Sequence, residues 1–210
     1  NADTLGSRST AVGYNALGLQ NFTSATDANN TAVGFHAGVN LTTAIRNVFV
    51  GANAGANLSQ GSENILIGAD AGDAFTNVNY NIGIGYRALT TDTRGSRSTA
   101  VGYNALAAQN FTGATNTNNS AYGFFAGVDI TTGIENTLIG SNAGYALTDA
   151  DRNTAIGYVA LTTNTKRERN TAIGRSALEN LNHTSVTNGY NTASGHGAGS
   201  VITNGTKNTI

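Results

Sequence analysis

Cysteine, proline, methionine and tryptophan are all absent from this chain of 210 residues. Without cysteine, the chain forms no disulfide bond and no thiolate metal site. Charge is also scarce: Asp, Glu, Lys and Arg make up 11% of the residues and leave a formal net charge of −1. Nucleic-acid binding requires a basic surface, and a membrane span requires roughly 20 apolar residues in succession. The sequence shows neither feature, so we expect neither nucleic acid nor a membrane as a partner.

Glycine is abundant instead, and eleven glycines recur at spacings of 17 or 21 residues. Each repeating unit is termed a coil here, coils are numbered 1 to 11, and positions are counted from the glycine. Position −4 is Asn or Ser in every coil, and position +3 is always Ala. A fixed period of this kind is typical of stacked-repeat architectures. The glycines are Gly13, Gly34, Gly51, Gly68, Gly85, Gly102, Gly123, Gly140, Gly157, Gly174 and Gly195, and the first five alanines are Ala16, Ala37, Ala54, Ala71 and Ala88.

Three residues before each glycine carry the pattern of a short β-strand. Position −1 is Val or Ile in all coils except those with Tyr122 and Ser194, and β-branched residues favour strands. Positions −3 and −1 share one face of a strand, and we predict that this face lines the inside of the coil. Position −2 is mostly Ala, which predicts a second buried surface. That surface packs either against a partner chain or within the coil itself.

The glycine and the residues after it predict a corner. Glycine is required there either because φ is positive or because another backbone approaches closely. The invariant Ala at +3 indicates a site with room for only one small side chain. Position +4 is Leu or Gly and nothing else, which predicts two interchangeable turn types.

Asparagine at position −4 predicts a ladder of side-chain amides along the stack. Coils in a parallel stack rise by about 4.8 Å, so each Asn lies directly above the previous one. Hydrophobic residues make up 39% of the chain and follow the repeat, which argues against disorder. Eleven coils at this rise give a rod on the order of 50 Å long.

These patterns predict an all-β fold, a parallel β-solenoid or β-roll of 17-residue coils with 21-residue variants. Residues 1–210 form a single repeat array of about eleven coils. Neither end carries the polar cap that solenoids require. We therefore expect the chain to be a segment of a longer fibre, or a subunit that stacks end to end.

The run Asn-Thr-Ala-Ile/Val-Gly-Tyr-x-Ala-Leu, found in variants at 30–38, 98–106, 153–161 and 170–178, resembles repeats of phage tail-fibre and bacterial surface-fibre proteins. It is also similar to the heads of trimeric autotransporter adhesins, whose repeat centres on a Ser/Asn-x-Ala-Ile-Gly core. That resemblance implies a left-handed parallel β-roll assembled as a homotrimer about its long axis. The 17-residue period is longer than that of the adhesin heads.

Candidate ligand contacts lie in the longer turns and in a row of aromatic residues. The 21-residue coils insert their extra residues in loops that contain Phe22, Phe111 and His183, and inserted loops are natural places for specific contacts. Aromatic residues recur at position +1, including Tyr14 and Tyr103. On an exposed face such rings hold sugars, and on a buried face they pack in the core or against another chain.

No catalytic constellation is recognisable. The three histidines do not cluster with acids, and no Gly-x-Ser-x-Gly motif occurs. Carboxylates two or three residues apart on turns make a calcium site conceivable, although solvated turns are the simpler interpretation. Paired threonines after position +4 suggest ice binding, but the array is broken at several coils. The weak calcium candidates are Asp149, Asp151, Asp70 and Asp73.

The sequence thus predicts a non-enzymatic structural or adhesive segment of an extracellular fibre, either a phage tail fibre or a surface adhesin. Such a rod projects binding surface away from a cell or virion, with copies of itself and a cell-surface glycan or receptor as partners. The alternative is a subunit of a self-assembling extracellular filament with a purely structural role. No cofactor is expected apart from the calcium considered above.

Overall fold

A computed structural model describes residues 5–182 and 187–210. These residues form an all-β structure without helices, and so contain no helix that could cross a membrane. The chain winds into a parallel β-solenoid of about eleven coils, as the repeat predicts. His183 lies outside the described residues.

One parallel sheet of eleven short strands runs the length of the solenoid, with one strand from each coil. Each strand covers positions −3 to −1, and equivalent positions of adjacent coils are paired, as in Ala32 with Phe49. The strands are β2 (Thr10–Val12), β4 (Thr31–Val33), β5 (Val48–Val50), β6 (Ile65–Ile67), β7 (Ile82–Ile84), β9 (Thr99–Val101), β11 (Ser120–Tyr122), β12 (Thr137–Ile139), β13 (Thr154–Ile156), β15 (Thr171–Ile173) and β17 (Thr192–Ser194).

Three additional two-stranded parallel sheets form where the 21-residue coils begin and end. They pair β1 (Gly6–Ser7) with β3 (Thr26–Asp27), β8 (Gly95–Ser96) with β10 (Thr115–Asn116), and β14 (Arg167–Glu168) with β16 (Thr187–Asn188).

The two faces of the main sheet are the reverse of the prediction. Position −2 points into the coil, where Ala32, Phe49 and Leu66 are fully buried. Positions −3 and −1 point outward, and Val12 and Ile139 keep 56% and 40% of their surface exposed. The interior of one coil is narrow, so position −2 is mostly Ala, and the larger Phe49 and Leu66 are accommodated beside glycine at position +4. The alanine row at −2 is therefore an internal layer of a single chain.

Position +7 completes the core and was missed in the sequence, where the residues after +4 were interpreted as outer polar turn. A single apolar residue stands there among polar neighbours and points inward. The buried residues at this position are Leu41, Leu58, Phe75, Ile130, Leu147 and Leu181. The alanines at +3 lie beside them and are buried from Ala16 to Ala177.

The repeated glycine is required both because its φ is positive and because the backbone of the next coil approaches closely. At Gly34, φ is +143°, and a Cβ atom added there would lie 2.5 Å from the carbonyl oxygen of Gly51 in the next coil. Ten of the eleven glycines meet the backbone of the following coil in this way. Gly195 has a similar φ of +137°, but its nearest neighbour would be the Cβ of Ala198 at 3.9 Å.

Position +4 adopts one turn conformation, not the two that were predicted. The leucines there have φ between +47° and +57°, and the glycines between +53° and +64°. The choice of residue depends on packing, because glycine makes room for a large neighbour at −2. Phe49 lies against Gly38 and Gly55, and Leu138 lies against Gly127 and Gly144.

The predicted asparagine ladder is confirmed. Asn30 Oδ1 accepts hydrogen bonds from the backbone N–H of Asn47 at 2.9 Å and from its side-chain amide at 3.3 Å. The Asn47 amide also donates to the carbonyl oxygen of Gly61 at 3.0 Å. The same pattern recurs up the rod and satisfies polar groups that are buried in the coil.

Candidate interaction surface

The strongest candidate surface is the outer face of the main sheet, defined as positions −3 and −1 of all eleven coils. No charged residue occupies either position. Position −1 contributes Val12, Val33, Val50, Ile67, Ile84, Val101, Tyr122, Ile139, Ile156, Ile173 and Ser194. Position −3 contributes Thr10, Thr31, Val48, Ile65, Ile82, Thr99, Ser120, Thr137, Thr154, Thr171 and Thr192.

The outer face is a continuous uncharged surface open to water, and nine of its 22 residues are Ser or Thr. Eleven strands about 4.8 Å apart, each about 10 Å wide, give a strip of about 500 Å². The largest apolar patches of typical monomers have about this size and often mark interaction sites. The aromatic rows at position +1 follow the strip in sequence and are treated as a separate surface.

The aromatic residues at +1 form stacked rows along the rod axis. The rings of Tyr14 and Phe35 are 5.6 Å apart, and Tyr103 lies 5.3 Å from both Tyr86 and Phe124. The interplanar angles are 13° to 26°, so neighbouring rings cover one another's faces. Tyr14 and Tyr103 are exposed, at 69% and 43%. Tyr103 lies between two rings and therefore presents its edge and hydroxyl outward, not the open face that a sugar stacks on.

The sequence predicted that the phenylalanines of the long loops contact a ligand, but neither ring is exposed to solvent. Phe22 and Phe111 retain only 5% and 6% of their surface exposed. Each ring is the single large apolar side chain of its inserted loop, and burying it holds the loop against the coil. The structure thus assigns both rings to packing, and the equivalent loop residue His183 is outside the described part.

Two polar nodes replace the asparagine ladder where position −4 is serine. In coil 6, Gln109 Nε2 donates to Asp92 Oδ2 at 2.5 Å, and Gln109 Oε1 accepts from the amide of Asn119 at 2.9 Å. Gln109 thereby supplies the amide that Ser98 lacks. In coil 1, Gln20 Oε1 accepts from Asn30 at 3.0 Å. The sequence signal is a Ser at −4 followed by a Gln eleven residues later.

Asp92 is an unusual buried carboxyl inside this node. Its Oδ1 accepts hydrogen bonds from the backbone N–H groups of Gly95 at 2.9 Å and Arg94 at 3.2 Å. Burial raises the pKa of the Asp92 carboxyl, although these hydrogen bonds and that of Gln109 oppose the shift. The group lies in the coil interior and is a structural element.

Arg167 is the largest fully buried side chain. Its stem passes Gly189, where an added Cβ would lie 2.9 Å from Arg167 Cδ. The guanidinium donates to the backbone oxygens of Gly205 and of Asn204, the latter at 3.2 Å. Desolvation lowers the pKa of Arg167. The side chain thus links three successive levels of the rod from the inside.

The four calcium candidates are each engaged elsewhere. Asp149 pairs with Lys166 at 3.5 Å, and Asp151 Oδ1 accepts from the backbone N–H of Ile134 at 2.8 Å. The other two accept hydrogen bonds as well: Asp70 from Asn53 at 3.0 Å, and Asp73 from Thr90 at 2.6 Å. In the part of the chain that the structure describes, no group of three or more His, Asp or Glu residues converges on one point.

The paired threonines proposed for ice binding direct hydroxyls to the neighbouring coil. Thr42 donates to the carbonyl oxygen of Ser59 at 2.9 Å, and Thr163 donates to that of Glu179 at 2.6 Å. These hydroxyls extend the inter-coil hydrogen bonding along the rod. At least one threonine of each pair therefore serves the coil itself.

The coils also follow a longer internal duplication that the 17-residue period hides. Residues 6–17 and 95–106 are identical in sequence, which places Tyr14 and Tyr103 at equivalent positions. The pattern restarts in coil 10, where Arg175 takes the place of these tyrosines.

Compared with protein-family models, curated proteins and solved structures, the chain matches none.

Proposed function

We propose that this chain is a non-enzymatic structural and adhesive segment of an extracellular fibre, such as a phage tail fibre or a surface adhesin. Copies associate side by side through the outer face into a parallel homotrimer about the long axis. The assembled rod holds its turns, and whatever receptor or glycan they contact, at a distance from a cell or virion.

The observation that carries the proposal is the outer face itself. Ile139 and Ile173 expose 40% and 41% of their surface in the single chain, within a strip free of charge. The cores of protein interfaces are depleted of charged residues, as this strip is. Covering this strip with another copy removes β-branched side chains from water at about 25 cal/mol per Å².

The distribution of residues along the outer face favours parallel copies in register. Position −3 is Val48, Ile65 and Ile82 in three successive coils near the start of the rod. Four successive coils near its end have Thr at the same position, from Thr137 to Thr192. A parallel arrangement packs the apolar segment against its own copy, whereas an antiparallel one places it opposite hydroxyl groups.

The internal ladders support the role of a stiff rod. Backbone hydrogen bonds connect each coil to the next, and asparagine amides and threonine hydroxyls add further bonds between many of the coils. In a stacked repeat, stability accumulates over such nearest-neighbour contacts. The rod therefore keeps its shape over its whole length while its turns vary in sequence.

Sedimentation equilibrium with matched surface variants tests the proposal. The unmodified chain is expected to sediment at three times its mass of 21.4 kDa. Ile139→Lys combined with Ile173→Lys places two charges on the outer face and should yield a monomer with an unchanged circular dichroism spectrum. Leu19→Lys is the control, because Leu19 is 57% exposed but lies at position +6, away from that face.

The possible results are distinct. A trimer that the double variant dissociates, and that Leu19→Lys leaves intact, supports the proposal. A monomeric unmodified chain at tens of micromolar overturns it, as does a double variant that remains trimeric. Open-ended filaments favour the alternative of a purely structural self-assembling subunit.

A further inference from the structure

The row at position +1 changes character in the last three coils. Coils 5 to 7 have Tyr86, Tyr103 and Phe124 there, whereas coils 9 to 11 have Tyr158, Arg175 and His196. The internal duplication makes the two rows equivalent. Arg175 stands where coil 6 has a tyrosine, and His196 stands where coil 7 has a phenylalanine. Arg175 and His196 are the only basic residues at position +1 in the sequence.

Contacts within the row hold the guanidinium in place. Arg175 Cζ lies 5.8 Å from the centre of the Tyr158 ring, in cation–π geometry. Its Nη1 atom is 3.1 Å from His196 Nε2. A guanidinium fixed in this way loses less side-chain entropy when it binds an anion, and its planar fork matches carboxylate and sulfate oxygens.

No acidic side chain neutralises this cluster. Across residues 5–182 and 187–210, no carboxylate lies within ion-pairing distance of Arg175 or His196, although Arg8, Arg46, Arg152 and Lys166 all have acidic partners. The His196 side chain is exposed. The cluster therefore presents a positive charge to the solvent without an internal counter-ion.

The Tyr158 ring offers a platform beside the charge. One face of Tyr158 is turned to Arg175, and the next coil on the other side has only Ser141 at position +1. Among the described residues no ring stacks on Tyr158, which is 51% exposed. An open aromatic face of this kind binds the apolar face of a sugar ring, in contrast to Tyr103, which is enclosed by two rings.

We propose that Ser141, Tyr158, Arg175 and His196 form a binding site for an anionic polysaccharide lying along the rod. A sugar residue stacks on Tyr158 above Ser141, and the carboxylate or sulfate of the next residue binds Arg175 and His196. A polymer suits the site because single exposed ion pairs are weak, and several linked contacts are needed for affinity. The site lies outside the outer face, so it does not depend on self-association.

The test uses polygalacturonate as a carboxylate polymer, dextran sulfate as a sulfate polymer and dextran as a neutral one. Binding of the whole chain is measured by affinity electrophoresis at about 150 mM salt, where long-range attraction is screened. We expect at least one of the two anionic polymers to retard the chain and dextran to leave it unaffected. The response to each assigns the anion to carboxylate, sulfate or both.

Arg175→Tyr combined with His196→Phe recreates the row of coils 6 and 7, so we expect this variant to keep the fold. Circular dichroism and the sedimenting mass check that it does. This variant should bind the anionic polymer at least about tenfold more weakly. Arg97→Gln is the control, because Arg97 is exposed and has no acidic partner among the described residues but lies at position −5. It should change binding less than about twofold.

Four results would overturn this assignment. Three of them are retention of full binding by the double variant, equal retardation by dextran, and equal retardation by polyglutamate, which has the charge without the sugar. Failure of all polymers to retard the unmodified chain would reject the site as well. None of these results bears on the oligomeric state, which is measured separately.

Discussion

Asn64 Oδ1 accepts hydrogen bonds from both the backbone N–H and the side-chain amide of Asn81, at 3.0 and 3.3 Å. Asn64 also donates to the backbone oxygen of Val78 at 2.9 Å. We expect Asn64→Ala to lower the free energy of unfolding by about 3 kcal/mol, because the Asn81 N–H and the Val78 oxygen remain unpaired inside the coil. Urea denaturation followed by circular dichroism measures the change.

The matched control for the ladder is Asn208→Ala. Asn208 lies in the last described coil, is only half-buried, and donates to Asn191 without accepting from a further coil. Its removal should cost less than about 1 kcal/mol. Equal losses for the two variants would mean that the ladder does not stabilise the interior of the rod.

The repeated glycine permits a second matched comparison, between Gly123→Ala and Gly195→Ala. Both residues have φ near +140°, so both variants incur about 1–3 kcal/mol of backbone strain. Only at Gly123 does the new Cβ meet the next coil, 2.5 Å from the oxygen of Gly140. Gly123→Ala should therefore be the more destabilising by at least about 2 kcal/mol in urea. Similar values would show that strain alone explains the glycine.

Large and small residues inside the coil should compensate for one another. Leu138→Ala opens a cavity and is expected to cost about 2–5 kcal/mol. Gly144→Leu overpacks the same space, because an added Cβ already lies 2.7 Å from Leu138 Cδ2. The two changes together recreate the Ala172 and Leu178 arrangement of coil 10, which like coil 8 has Leu at position +7, so the double variant should recover at least half of the summed loss. Additive losses in a double-mutant cycle would exclude this compensation.

Asp92 should make the stability of the protein depend on pH. Its pKa is raised in the folded state, so the folded chain binds this proton more tightly than the unfolded chain. The resulting stabilisation is fully present below the unfolded value of 3.8 and is lost as the pH rises through the folded pKa. Asp92→Asn removes this loss, so its stability relative to the unmodified chain should increase with pH across that window. Urea unfolding at several pH values tests this, and a difference independent of pH would contradict it.

Single cysteines can report the orientation of the copies, because the chain has no cysteine of its own. Val50 and Ile156 both lie at position −1 of the outer face, in coils 3 and 9. In a parallel assembly in register, Val50→Cys should form disulfides with its own copy under oxidation, and so should Ile156→Cys. A mixture of the two should give few mixed disulfides. Mixed products in excess would indicate an antiparallel arrangement.

The strands and the asparagine ladder could be predicted because both depend on local rules repeated eleven times. β-branched residues at −1 mark the strands, and stacking in register follows from the constant period. The orientation of the sheet could not be predicted from this pattern. An apolar row such as Val33, Val50 and Ile67 looks the same whether it faces its own core or another chain.

The candidate site was harder to predict for a related reason. Phe22 and Phe111 were assigned to ligand contact because they lie in the inserted loops, yet each is a single apolar ring turned inward from a polar loop. The compensating pair of a large residue at −2 and Gly at +4 was visible in the sequence, as was the Ser and Gln signal of the polar nodes. Each signal relates two residues on different sides of a coil. Their contact could therefore be recognised only in the folded structure.

The direction of the hydrogen bonds has a mechanical consequence. In the main sheet every bond between coils points along the rod, so a pull on its two ends puts the same tension on every junction and the weakest junction opens first. Coils should then peel away one at a time, each releasing about 50 Å of extended chain where it had occupied about 5 Å. Such a rod resists bending in flow and lengthens stepwise under tension, which lets it absorb a sudden load without breaking.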